Sequence, residues 1–443
     1  MGVGGFAGFK TKCFQCCPKL NDRGHVFTPG FSDLSSTLAR NVSERRRRYR
    51  EGQLMKTVMA AKRDARIDMV RALALLTIFI NHVPGNVLER FTYRNFGFSD
   101  ATEVFMLVSG ISIGLAYGTR FASGQRAGVA LRMWRRAGVL YVSHIVVTIA
   151  GIALFCIGAL YSGRPELLSQ INIAPVMERT PEAMIGIATL GHQIGYNNIL
   201  PVYALLLLAA PLMILGALRW PGTTLGCCGL LWLAAGLWQI APRNYPEAGQ
   251  WFLNPLSWQF LFAIGIAGAI HVRRSGAVPV NRWGVALAGA YAIGALAWVH
   301  SPLWGQVTWL GLPPVVGGFD KTYLSLSRLL HILAVAYLVL ALCSVSAVRF
   351  CSDNPLAVLG RRSLAVFIAG TVLALAAQML RMVHAGGVGY DLCLLALGIA
   401  AQFGLAYYLD WVDRVKSAGR SDAAVRQRAP APSGARVLAG HGA

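Results

Sequence analysis

Apolar residues in this chain come in runs of about twenty, separated by short polar or glycine-rich stretches, with no alternating pattern of the kind a half-buried strand shows. A run of that length crosses a hydrocarbon layer of roughly 30 Å at about 1.5 Å per helical residue. The pattern predicts helices at about 69–88, 102–118, 137–160, 199–218, 223–241, 255–272, 283–300, 326–347, 363–382 and 389–411. The fold class implied is all-α, a polytopic transmembrane bundle of about ten helices, because only helices and closed barrels satisfy their backbone polar groups inside lipid. Gly- and Pro-rich stretches at 241–255 and 305–318 read as loops.

Composition agrees with that reading. Of 443 residues, 55% are hydrophobic and only 14% are charged, where soluble domains carry about a quarter charged residues. The formal charge of +22 would suit nucleic-acid binding if it formed one patch, but the basic residues occupy the two ends and alternate loops, which is a topological signal. No nucleic-acid partner is therefore expected, and the lipid bilayer is. Loop 119–136 holds Arg120, Arg126, Arg132, Arg135 and Arg136, and loop 273–282 holds Arg273, Arg274 and Arg282, so both are expected in the cytoplasm. Loops 84–101, 161–198, 242–254 and 301–325 belong on the opposite side. An even helix count then puts both termini in the cytoplasm of a bacterial inner membrane.

Residues 1–64 lack an apolar run and a signal peptide and read as a disordered basic extension; 65–413 form the membrane domain, and 414–443 a disordered cytoplasmic tail. Met55 and Met59 directly precede the first apolar segment, so a shorter translated chain is an open alternative. The run Arg45-Arg46-Arg47-Arg48-Tyr49-Arg50 is either a solvated arm or a contact for anionic headgroups. Cys13, Cys16 and Cys17 have no second Cys or His pair at metal-site distance, so no metal is expected there.

Ionisable residues at membrane depth are costly and mark candidate chemistry. Arg71 and His82 bracket the first helix, eleven residues apart, which puts them on one face about 16 Å from each other. Asp100 and Glu103 open the second helix on adjacent positions. A carboxylate there is favoured by the helix dipole, and the helical hairpin also makes these two the candidate partners of His82. A neutral imidazole beside a carboxylate can take a proton from a hydroxyl; the plainer alternative is an interfacial histidine satisfied by hydrogen bonds. Arg71 is either a ligand contact or a positive-inside anchor. His144, within the third helix, reads as a packing residue.

The pairing of Arg71 with His82 across ten intervening residues resembles the signature of the acyltransferase-3 family of ten-helix membrane acyltransferases. More closely, Asn81-His82-Val83-Pro84-Gly85-Asn86 followed by Gly97-Phe98-Ser99-Asp100-Ala101-Thr102-Glu103 and Ser109-Gly110 resembles the OpgC family, which succinylates osmoregulated periplasmic glucans. Asn198-Ile199-Leu200-Pro201-Val202-Tyr203, Trp258-Gln259-Phe260-Leu261-Phe262, Asp320-Lys321-Thr322 with Arg328-Leu329-Leu330-His331, and Gly360-Arg361-Arg362-Ser363-Leu364 extend the likeness over about residues 66–410.

This resemblance implies an O-acyltransferase with acyl-CoA, succinyl-CoA in the closest case, as cytoplasmic co-substrate, no bound cofactor, and a periplasmic glucan or other extracytoplasmic glycan as acceptor. His82, Asp100 and Glu103 are then the catalytic candidates, His82 acting as general base or as a transient acyl carrier. Arg66, Arg71, Arg135 and Arg136 are candidates for the coenzyme phosphates, against plain topogenic charge. Arg328 and His331 would hold the acyl carboxylate or the glycan, against a buried pair that satisfies carbonyls. Trp258 and Gln259 would touch carbohydrate, against an interface anchor. A transporter is the rival reading, weakened by the lack of paired interrupted helices in two halves, and an accessory membrane subunit is a third.

Overall fold

The structure is a computed structural model that describes residues 64–302, 304, 311–345, 353–384 and 386–428. The N-terminal extension, with its arginine run and its three cysteines, lies outside the described residues, as do 429–443.

Ten long helices stand among the described residues where the apolar runs put them: α1 Ala65–Asn81, α2 Ala101–Ala122, α3 Arg126–Ser162, α4 Ile199–Arg219, α5 Pro221–Leu237, α6 Pro255–Ser275, α7 Arg282–Val299, α8 Leu326–Val345, α9 Ser363–Val383 and α10 Val388–Arg428. Among these residues, seven helices are long and apolar enough to cross a membrane, namely α2, α3, α4, α6, α7, α9 and α10. Helix α5 and the Leu326–Leu342 part of α8 are apolar but shorter, and α1 spends its first turns on Arg66, Asp68 and Arg71. Length and composition thus support seven of the ten expected spans.

Three boundaries differ from expectation, each for a local reason. Helix α1 stops at Asn81 rather than continuing to 88, because Pro84 has no N–H and disfavours helical backbone in the residue before it, and Gly85 turns the chain at φ +75°. Helix α3 begins at Arg126, about eleven residues early, its arginine-rich first turns being a polar extension of an apolar rod. The expected tail after Asp413 continues α10 as far as Arg428; Asp410 pairs with Arg414 one turn on, and Asp413 with Arg362. Loop 161–198 also carries short helices at Ala174–Glu178 and Thr180–Ala188.

Helix α2 runs through the middle of the bundle. It packs on α1, α4 and α6, while α3 pairs with α4 and α9, and α7 with α8. Outward positions such as Leu212, Leu230, Leu287, Ile293 and Leu397 leave apolar side chains exposed, as suits helices solvated by lipid. The closest crossing, α2 on α6, depends on small residues. A Cβ on Gly265 would lie 2.5 Å from the Leu107 carbonyl oxygen, and one on Gly110 would lie 2.3 Å from that of Phe262. Membrane helices lack a hydrophobic drive to associate, and such contacts let their backbones pack directly.

The two ends of the bundle differ. One end gathers the segments 82–100, 163–198, 238–254 and 311–325, cross-linked by backbone bonds from Tyr245 to Gly191 and from Asn254 to Thr322, both 3.1 Å. The other end is rich in arginine: Arg274 donates to the Leu218 carbonyl at 2.8 Å, and Arg361 and Arg362 pair with Asp410.

A contrast between two glycines of α6 tests the crossing. Gly265→Ala forces the α2 backbone away and is expected to lower stability by about 1–3 kcal/mol, read as an earlier thermal unfolding midpoint of purified protein in detergent. Gly268→Ala meets nothing within 4 Å and should hold or slightly raise that midpoint, alanine being the better helix former.

Candidate functional site

His82 is held where α1 is forced to end. The Asn86 side chain donates to the carbonyls of Ile80 at 2.8 Å and Val83 at 2.6 Å, satisfying acceptors that a continuing helix would have used. Gln378 of α9 donates to the His82 carbonyl at 2.6 Å. With its backbone fixed, the imidazole stacks on the Tyr196 ring, centroids 4.8 Å apart and planes 15° from parallel. Burial lowers its pKa to about 3; the Lys321 ammonium acts in the same direction, and the Asp100 carboxylate opposes both. His82 is therefore neutral at physiological pH, with a free lone pair.

No hydrogen bond joins His82 to Asp100 or Glu103 among the described residues, because both carboxylates are engaged elsewhere. They form a capping box at the start of α2: Asp100 accepts from the Thr102 N–H at 2.7 Å, and Glu103 accepts from the Asp100 N–H at 2.9 Å. Arg328, in the first turn of α8, donates to Glu103 at 2.7 Å and to Asp100 at 3.3 Å. Lys321 donates to Asp100 at 2.5 Å and to the Thr102 hydroxyl at 3.2 Å. Two carboxyl groups and two cationic side chains thus lie together, with Glu103 0% and Arg328 9% exposed. Burial pushes the Asp100 carboxyl up, but Lys321 and Arg328 outweigh it and hold the group well below the usual carboxylate range. Asp100 reaches His82 through space rather than by contact.

His331 follows one turn after Arg328 on the same face. Its Nδ1 accepts from the Ser99 N–H at 3.3 Å, meets the Ser99 hydroxyl at 2.7 Å, and lies 3.4 Å from the Tyr93 hydroxyl. Gly97 packs flat against the ring, where any Cβ would lie 2.0 Å from Nε2. His331 therefore clamps the 93–99 segment. The tyrosine hydroxyl beside it stays protonated, burial being the main cause.

The remaining candidates separate. Trp258 is 0% exposed and its indole N–H donates to the Lys321 carbonyl at 3.1 Å, so it braces Lys321 from below. Gln259 donates to the Cys228 carbonyl at 2.7 Å and ties α6 to α5. Neither borders the narrow cavity at Arg71 or the cleft at Tyr196. Arg66 is exposed and pairs with Asp64, its own helix cap. Arg71 is buried, paired with Asp68 at 3.3 Å and bonded to Ser112 of α2. It also lines, with Arg136, Ser109, Tyr203 and Ser363, a narrow cavity of about 20 Å³ between helices. Arg135 points outward. His144 is buried against the Asn197 amide at 3.0 Å.

The structure therefore unites Asp100, Glu103, Arg328 and His331 at the loop-rich end, sets His82 beside them, and leaves Arg71 with Arg136 at the arginine-rich end. It adds residues that the sequence reading did not choose. Lys321 sits in a motif noted for its resemblance alone, and Ser99 likewise. Tyr196 and a cleft of about 280 Å³ that it helps to line carried no helical periodicity to flag them; the only signal was the polar, glycine-containing run 191–198 in a membrane chain. Among the described residues, no group of three His, Cys, Asp or Glu side chains is close enough to hold a metal ion.

No individually curated protein matches the chain. A family match does exist, and it covers residues 63–414, beginning one residue before the Asp64 cap of α1 and ending inside α10. It takes in α1 to α9 and α10 as far as residue 414, and by this match the chain belongs to the OpgC protein family.

Proposed function

We propose that the protein is an inner-membrane O-acyltransferase that moves an acyl group, succinyl by the family resemblance, from cytoplasmic acyl-CoA to hydroxyls of a periplasmic glucan or related extracytoplasmic glycan. The observation that carries this reading is the pair of ends on α1. His82 stands neutral beside the charged cluster at the loop-rich end, and Arg71, eleven residues earlier, lines a narrow cavity with Arg136 at the arginine-rich end. Guanidinium groups there suit coenzyme phosphates, and Ser109, Tyr203 and Phe105 continue the cavity's wall into the bundle; the cavity would have to widen to admit a thioester arm.

In this reading the acceptor hydroxyl gives its proton to the His82 imidazole as its oxygen bonds to the thioester carbonyl carbon. The carbon–sulfur bond then breaks, the coenzyme thiolate takes up the proton, and an ester and free thiol remain. Asp100 favours the transient imidazolium electrostatically, while Arg328 and Lys321 keep Asp100 ionised.

Three measurements test this. His82→Ala and His82→Gln protein, reconstituted in liposomes with labelled acyl-CoA and glycan, should each lose about 10²- to 10⁴-fold in transfer rate, since glutamine supplies a hydrogen bond but no proton acceptor; unchanged rates overturn the assignment. The pH profile has a definite sign. With its pKa lowered from 6.5 to about 3, His82 keeps its base form on acidification, so kcat/KM should stay level from pH 8 to pH 5. An unperturbed imidazole would lose about thirty-fold over that range, and an inflection near pH 6.5 would contradict the burial argument. Reporter fusions settle sidedness: those after Arg136 and Arg274 should report cytoplasm, and one at Arg164 periplasm, and the reverse pattern would put His82 on the wrong side of the membrane for this acceptor.

A further inference from the structure

The cleft at the loop-rich end has its own chemistry. It lies between the 172–198 and 244–252 segments and encloses about 280 Å³. Its lining includes four asparagine and glutamine side chains besides Gln250, one carboxylate, Glu247, and no lysine or arginine: Asn172, Gln193, Asn198 and Asn244 supply the amides. Asn198 is the most telling of these. It occupies the N-cap position of α4, where an asparagine ordinarily accepts from the first free N–H groups, yet its side chain makes no capping bond. Among the described residues the side chains of Asn198, Asn244 and Glu247 have no hydrogen-bond partner, although each borders the same space.

Two aromatic side chains complete the wall, Tyr196 at 40% and Phe252 at 48% exposed. Each also carries a group of the neighbouring site. The His82 imidazole is stacked on Tyr196, and the Lys321 ammonium lies 5.6 Å from the Phe252 ring centroid. His82 itself does not line the cleft. An occupant therefore touches rings that back onto His82 and Lys321 but not the imidazole.

The lining decides the class of ligand. Coenzyme phosphates need cations, and the cleft presents none and adds a carboxylate. Unengaged amides both donate and accept, as sugar hydroxyls do, and exposed aromatic faces suit the apolar face of a pyranose ring. We propose that this cleft is a subsite for neutral glucosyl units that flank the acylated one, so that the acceptor is recognised as an oligosaccharide and not as a single sugar. The inference rests on the acyltransferase reading for the meaning of acceptor, but the binding it describes requires no donor and no transfer.

The test is equilibrium binding of linear glucose tetrasaccharides of several linkages, and of glucose, to the full-length protein in nanodiscs without acyl-CoA. At least one tetrasaccharide should bind ten-fold or more tighter than glucose, and Asn198→Ala, Asn244→Ala and Glu247→Gln should each weaken it by about five-fold, as befits the loss of one hydrogen bond. Unfolding midpoints identify any variant that fails to fold, and Glu247→Gln keeps the shape of the side chain. Absence of tetrasaccharide binding, or binding that all three folded variants retain in full, overturns the proposal. Tetrasaccharide binding lost in the variants, with no acyl transfer by the wild type, keeps the subsite and removes the acyltransferase reading. Transfer to the glycan at unchanged KM in the variants does the opposite.

Discussion

Glu103 carries a carboxylate at a point with no accessible surface, at the head of the helix around which the bundle packs. An unpaired carboxyl group buried there would be costly; Arg328 offsets that cost by reaching across 225 residues of sequence to pair with it. Asp100 and Lys321 add a second pair against the first. Removing one partner from such a cluster typically costs about 3–5 kcal/mol, whereas replacing the whole cluster with apolar groups need cost nothing. Its contribution is thus better understood as register than as stability. It fixes the first turn of α8 against the first turn of α2, and the Trp258 bond to the Lys321 carbonyl extends that registration to α6.

Everything else at the loop-rich end depends on this fixed point. Once Arg328 is placed, His331 falls one turn further on and pins Ser99 and Tyr93, which settles the path from α1 to α2. The position of Lys321 in turn sets the field at His82. The imidazole, pressed by burial and by Lys321, stays unprotonated. Lys321 thus acts on two groups at once, pairing with Asp100 and opposing protonation of His82.

The fold was largely legible in the sequence, because a lipid-facing helix announces itself by its own composition. The apolar runs located all ten long helices, and the misplaced ends lay where local chemistry overrides the run: Pro84 and Gly85 cutting α1 short, and charged turns lengthening α3 and α10. The charged cluster was half legible. Asp100 with Glu103, and Arg328 with His331, could be picked out because a three-residue spacing puts both members on one helix face. That the two pairs meet could not be read, since their meeting depends on how α8 docks against α2. Trp258 and Gln259 looked like wall residues for the same reason that Trp and Gln at a helix start often are, and they turned inward to bond carbonyls of Lys321 and Cys228. Tyr196 and the cleft lay beyond any periodicity argument, being built from loops that only the packed bundle brings together.

Helix α1 carries Arg66, Asp68 and Arg71 in its first two turns, and its polar residues are those that the packing goes furthest to accommodate. Near one end Asp68 and Ser112 take up the charge and donors of Arg71; at the other Asn86 and Gln378 take up the backbone that Pro84 strands. Gly360 presses so closely on the Asp68 backbone that a Cβ there would lie 1.8 Å from the carbonyl oxygen. A helix required only to span a membrane needs none of these arrangements and would be better served by leucine throughout. These contacts hold two polar termini in fixed orientation, about 16 Å apart along one face, as the proposed transfer between the two ends of the bundle would require. The cost appears in α1 itself, whose apolar stretch is too brief to qualify as a span, and which packs against α2, α9 and the short helix Pro355–Arg361.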